Sequence, residues 1–216
     1  MQRRAFSRTL LGASAATSLG AAGLWPALAQ AQAAGFKEGS DYRRLGKPAP
    51  VDAPAGKIEV IEFFAYTCVH CFNFEPVFNE WKKNAPAHVV VRRSPVGFNA
   101  QFVPLQKLYF TLEAMGKLDA LHDKVFKAVH EERQRLNTPD AIASWAASQG
   151  LDRTQFNQVY NSFAVTGKVN RATQLQDAYE VEATPSLGIA GRYYVPGQAA
   201  RTLTIANALI NEARKG

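Results

Sequence analysis

At 216 residues the chain can hold one large domain or two small ones, and its 47% hydrophobic content is that of a globular protein able to build a core. The formal charge is +7, but Lys and Arg are scattered, with Arg92-Arg93 and Lys82-Lys83 the densest pairs. No basic stripe interleaves with aromatics, which excludes nucleic acid as a partner.

The first stretch, Met1 to Ala33, differs from everything after it. Arg3, Arg4 and Arg8 are its only charges, and an Ala/Gly/Leu-rich run follows them, the layout of a cleaved signal peptide. Ala27-Leu28-Ala29 and Ala31-Gln32-Ala33 both offer a small-x-small cleavage pattern, and the second is preferred. Gly12, Ser14, Gly20, Gly23 and Pro26 dilute the apolar run too far for a retained membrane helix. Arg3-Arg4-Ala5-Phe6 fits a twin-arginine signal as well as an ordinary secretory one, and both routes cross the inner membrane. Loss of these residues removes three Arg and no acid, lowering the charge to +4.

After the Pro/Gly-rich loop from Gly46 to Gly56, Lys57 to Ala65 is β-branched and aromatic and predicts a short buried strand. Phe72, Phe74, Phe78 and Trp81, set among polar residues, predict an amphipathic helix, with Pro76 expected to kink it. The only two cysteines, Cys68 and Cys71, fall at the turn between them. A structural disulfide gains most by closing a long loop, so a pair three residues apart makes a poor staple. At a helix start such a pair has its Cα atoms roughly 5 to 5.5 Å apart, within reach of a disulfide that opens and closes without backbone movement.

Farther on, spacings of three and four link Leu105, Leu108 and Leu112, then Leu118, Leu121, Val125 and Val129. Thr138-Pro139 predicts an N-cap with Pro at the first helical position; Gly150 ends that helix and Asp152 caps the next, carrying Phe156, Val159 and Tyr160. A hairpin from Gly188 to Val195 and an amphipathic helix from Thr202 to Ala213 close the chain. A zinc site would need further ligands beside the Cys pair. No third Cys exists, and His88, His122 and His130 stand singly, the last two reading as solvated or core-edge helix residues; no metal is expected.

The strand, Cys-x-His-Cys and helix resemble the thioredoxin superfamily, and Glu62-Phe63-Phe64-Ala65-Tyr66-Thr67-Cys68-Val69-His70-Cys71 resembles its DsbA branch. Val181-Glu182-Ala183-Thr184-Pro185-Ser186-Leu187 resembles that family's X-Pro loop, so the resemblance runs from Tyr42 to the C-terminus. It implies an α/β, thioredoxin-like fold over 34–97 and 180–216, split by a helical insertion over 98–179, behind a signal peptide at 1–33.

Position supplies the expected chemistry. Cys68 at a helix N-terminus faces unpaired N–H groups and the positive end of the helix dipole, both of which favour thiolate. His70 can add a donor or a charge to the same sulfur. Cys71, shielded by Phe72 and Phe74, is expected as the resolving thiol. Only the reduced form carries a thiolate, so a lowered pKa makes the disulfide more oxidising; about 3 units correspond to roughly 4 kcal/mol, or on the order of 90 mV. DsbA proteins are themselves a known instance of such a low-pKa cysteine, so the resemblance implies the same direction here. Val69 departs from the family's familiar Pro, which leaves the size of the shift open.

Strand alternation puts Glu62 among Ile58, Val60 and Phe64, beneath the cysteines, where the resemblance implies a proton carrier; Glu59 reads as an exposed strand residue near an edge. Sequence alone makes Pro185 trans, since about 5–6% of X-Pro bonds are cis, whereas the resemblance implies cis. Thr184, Pro185 and Val69 are the expected substrate-binding residues, with Thr184 pairing its backbone to an extended polypeptide. The function implied is that of a periplasmic dithiol oxidase, monomeric and without cofactor, acting on exported polypeptides and re-oxidised by a quinone-linked, DsbB-like membrane partner. A reductase or isomerase, or a non-catalytic peptide-binding chaperone, are the alternatives. Against an isomerase, the span from Ala34 to Gly56 is too short for the extra dimerisation domain of the family's isomerases.

Overall fold

The computed structural model describes residues 35–215; the expected signal peptide lies outside them. A five-stranded mixed sheet has the order β1-β5-β4-β2-β3. Its centre is β2 (Ile58–Phe64), parallel to β3 (Val89–Pro95) and antiparallel to β4 (Ser186–Ile189). Beyond β4 lie β5 (Tyr193–Pro196) and the two-residue β1 (Arg43–Arg44), both antiparallel. The crossover from β2 to β3 is α1 (Val69–Lys83), as a parallel pair requires. This is the thioredoxin-like α/β arrangement. No helix among the described residues is long and apolar enough to cross a membrane.

All seven residues of β2 are buried because both faces of the strand are covered. Ile58 and Val60 pack with Phe74 and Phe78 of α1 and with Leu203, Ile205 and Leu209 of α7 (Arg201–Ala213). Ile61 and Phe63 on the other face meet Leu45, Leu175, Tyr179 and Val181. This corrects the reading of Glu59, which points to that second face and is only 1% exposed. Arg92 of β3 meets its carboxylate at 3.1 Å.

Five helices enter between β3 and β4: α2 (Val103–Ala114), α3 (Leu118–His130), α4 (Pro139–Ser148), α5 (Arg153–Tyr160) and α6 (Phe163–Ala178). Their core joins Leu108, Leu112, Val125, Phe126, Ile142, Trp145, Phe156 and Tyr160, and Phe64, Tyr66 and Cys71 belong to the same cluster. The insertion thus packs directly against the cysteine turn. Thr138 accepts from the Ala141 N–H at 3.3 Å, with Pro139 first in α4, and Asp152 accepts from the Gln155 N–H at 2.6 Å. Gly150 takes φ +84° after α4, the left-handed conformation that glycine adopts without a Cβ penalty. Pro76 lies inside α1, and the helix runs on through it.

Candidate active site

Burial of β2 on both faces fixes where its last residues deliver the chain. Cys68 becomes the N-cap of α1, with extended backbone (φ −85°, ψ 114°), and its sulfur accepts from the Cys71 N–H at 3.3 Å. The first turn carries no acid that would oppose a negative sulfur. Both cysteines are free thiols; Cys68 is half-buried and Cys71 fully buried. From the other side the Thr184 carbonyl oxygen lies 3.3 Å from the Cys68 sulfur, and the Thr184–Pro185 peptide is cis.

These contacts separate the two thiols. A hydrogen bond from the Cys71 thiol, against the opposing effect of burial, and further donors from the Thr184 side chain and the backbone N–H groups of Cys71 and His70 bring the pKa of Cys68 down to about 5. Burial, then the neighbouring Cys68, pushes Cys71 far up. One sulfur is therefore an anion at neutral pH and the other keeps its proton. His70 serves Cys68 through its backbone N–H, and its side chain is exposed. Val69, 50% exposed, stands beside the sulfur on the surface.

Glu62 is fully buried, as its strand face predicts. The parallel register sets it opposite Arg93, whose Nε donates to one Glu62 oxygen at 2.9 Å. Burial first, then the charge of Glu75, raises Glu62 to about 8. Arg93 also donates to Glu75 at 2.7 Å, and His122 Nε2 lies 3.2 Å from the other Glu75 oxygen. His122 is thus not solvated: it is 4% exposed, and the Tyr66 hydroxyl lies 2.8 Å from its Nδ1. His130 stacks on Phe72 and donates through Nε2 to the Tyr66 carbonyl at 2.8 Å.

Sequence reasoning gave no site role to Glu75, Arg93, His122, Tyr66 or Gly197. Glu75 had a signal, being one helical turn beyond Cys71 and so on the same face. Gly197 had none. An added Cβ there would run into the Pro185 carbonyl oxygen, so glycine is what lets the chain after β5 pass so close to the Thr184–Pro185 loop.

This geometry has counterparts in known proteins. A profile for the DSBA-like thioredoxin domain matches residues 95–209, which span the helical insertion and the returning strands. Thiol:disulfide interchange protein DsbA of Bordetella pertussis is 44% identical over all of both chains, which carries the similarity across the cysteine turn. The crystal structure of Pseudomonas aeruginosa DsbA superposes with a TM-score of 0.79 at 37% identity, covering 83% of this chain and 95% of that one. Oxidoreductase DsbA from Xylella fastidiosa gives 0.78 at 28%, covering 84% and 99%. With a buried thiol and an ionised one at the head of α1, and relatives matched along its whole length, the chain belongs to the DsbA family of thiol:disulfide interchange proteins.

Proposed function

We propose that the protein is a periplasmic dithiol oxidase whose Cys68–Cys71 disulfide is handed to polypeptides arriving in the envelope. The observation that carries this reading is the place of Cys68 at the head of α1, where its sulfur accepts from the Cys71 N–H at 3.3 Å and its pKa is held at about 5. A sulfur that ionises easily is a good leaving group and stabilises the reduced enzyme, so the disulfide gives up its oxidising equivalents readily.

A substrate thiolate attacks the Cys68 sulfur of the oxidised enzyme; a new intermolecular S–S bond forms, the Cys68–Cys71 bond breaks, and Cys71 leaves with the electron pair. Buried as it is, Cys71 takes up a proton at once. We assign Glu62 as the carrier of that proton, since its affinity for protons lies near neutral pH. A second substrate thiol loses its proton and attacks the substrate sulfur of the mixed disulfide, and Cys68 departs as thiolate. The substrate is oxidised by two electrons and the enzyme reduced by two. Thr184 and Pro185 border the sulfur, and the Thr184 backbone is suited to align an extended segment there by strand addition, with Val69 as an apolar contact. Re-oxidation falls to a quinone-linked membrane partner of the DsbB type. The two thiols are themselves the redox group, so no cofactor is invoked.

Equilibration of the purified protein with glutathione mixtures tests the reading. The expected potential is well above that of glutathione, with Cys68→Ala inactive and Cys71→Ala accumulating mixed disulfides. A potential as reducing as thioredoxin's would replace the oxidase by a reductase.

A further inference from the structure

Two of the buried carboxylates, Glu62 and Glu75, share the Arg93 guanidinium. Arg93 gives its Nε to Glu62 and one terminal nitrogen to Glu75. Their remaining partners are unequal. Glu75 receives the Asn79 amide at 3.2 Å and faces His122 Nε2 at 3.2 Å, whereas the second oxygen of Glu62 has no hydrogen-bond partner among the described residues. Two carboxylates beside one guanidinium, both nearly without solvent, hold a proton between them more readily than a second negative charge. The donors decide which of the two keeps it.

Tyr66 determines what His122 can do. Its buried hydroxyl keeps its proton and donates to Nδ1, so the neutral imidazole carries its own proton on Nε2 and donates that to Glu75. Burial keeps His122 neutral. The imidazole also abuts Phe64, Tyr109 and Phe126, which leave it little freedom to turn. An open cleft of about 800 Å³ between β3 and the insertion, lined by Arg93, Tyr109, His122 and Asp123 among others, brings solvent to the His122 end of the chain; Glu62 does not line it.

We propose that His122 is a positioning residue: by donating to Glu75 it keeps that carboxylate charged and leaves the shared proton on Glu62. The proposal deepens the proton-carrier reading of Glu62 and rests on that reading for its functional consequence. Were the donor lost, Glu75 would compete for the proton, Arg93 would pair more fully with Glu62, and the carrier would arrive at the cysteines without its proton. The charged and titratable groups facing the site are Glu62 of β2, Arg93 of β3, Glu75 and Lys82 of α1, Tyr109 of α2, Asp123 of α3, and Tyr66 in the turn after β2. Glu75 is held low despite its burial, chiefly through the His122 hydrogen bond, in accord with this arrangement.

Glutamate-selective carbon-13 carboxyl NMR of the full protein, with Glu62→Gln and Glu75→Gln for assignment, reads the two midpoints separately. In His122→Phe the Glu62 midpoint is expected to fall by about one pH unit or more and that of Glu75 to rise. His122→Gln, whose amide can still donate, is expected to keep the order found in the unaltered protein. Should His122→Phe fail to fold, His122→Leu, smaller and equally without a donor, decides, and is expected to lower the Glu62 midpoint and raise that of Glu75 in the same way. An unmoved Glu62 in the folded variant, or a His122→Gln that behaves like Phe, overturns the proposal. The carrier reading is tested apart from it: a Glu62→Gln enzyme that forms disulfides at the full rate refutes that reading, while the movement of the Glu62 and Glu75 midpoints in His122→Phe still decides the positioning role.

Discussion

Val69 occupies the first helical position of α1, directly after an N-cap whose backbone is extended at φ −85° and ψ 114°. Proline's ring demands that geometry of the residue before it and fits this position well, because an N–H in the first helical turn has no partner within the helix. Val69→Pro is therefore expected to fold normally and to gain ~0.4–1 kcal/mol by narrowing the unfolded ensemble; urea denaturation of the reduced protein checks it, and a loss of stability would show that the Val69 N–H is used. The cysteines themselves were legible, because a spacing of three at a strand-to-helix turn has few other uses. Glu59 and His122 were not. Period-two alternation tells which strand residues share a face but not whether both faces are covered, and the partners that bury His122, Glu75 and Tyr66, lie 47 and 56 residues away.

Helix ends were legible at the scale of elements because capping is local: Thr138 and Asp152 reach donors three residues on. Sheet order was not, since the Glu62–Arg93 register and the close approach of Gly197 to the Pro185 loop join segments that sequence cannot align. With any Cβ at position 197, either that segment or the Pro185 carbonyl must move, and Thr184 sits one residue away with its carbonyl 3.3 Å from the Cys68 sulfur. Gly197→Ala is expected to cost about 1–3 kcal/mol in stability. It should also raise the pKa of Cys68, because the Thr184 side chain is one of the groups that hold it down. Thiolate absorbance against pH reads the second effect. A variant destabilised but with an unmoved Cys68 would separate the loop from the sulfur's ionisation.

For the whole molecule, the redox state of one turn becomes a difference in folding stability that depends on pH. The Cys68 thiol is depressed to about 5 from an ordinary value near 9. Its contribution to the reduced protein is therefore complete above the ordinary value and is lost as pH falls through about 5. At pH 7, two units above the native value, the unscreened figure is roughly 3 kcal/mol, and solvent around a half-buried sulfur reduces it to about 2 kcal/mol. At pH 4 it is close to nothing. The oxidised protein lacks the thiolate and gains instead from a closed loop of four residues, worth roughly 2 kcal/mol at any pH. Cys71, the other group that only the reduced form carries, keeps its proton throughout this range, and the remaining ionisable groups are common to both forms. Urea denaturation is thus expected to find the two forms within about 1 kcal/mol of each other at pH 7, and the oxidised form ahead by about 2 kcal/mol at pH 4. A gap that stays constant between those pH values would mean that the thiolate is not stabilised by the fold, and the disulfide would then have no reason to leave this protein for another.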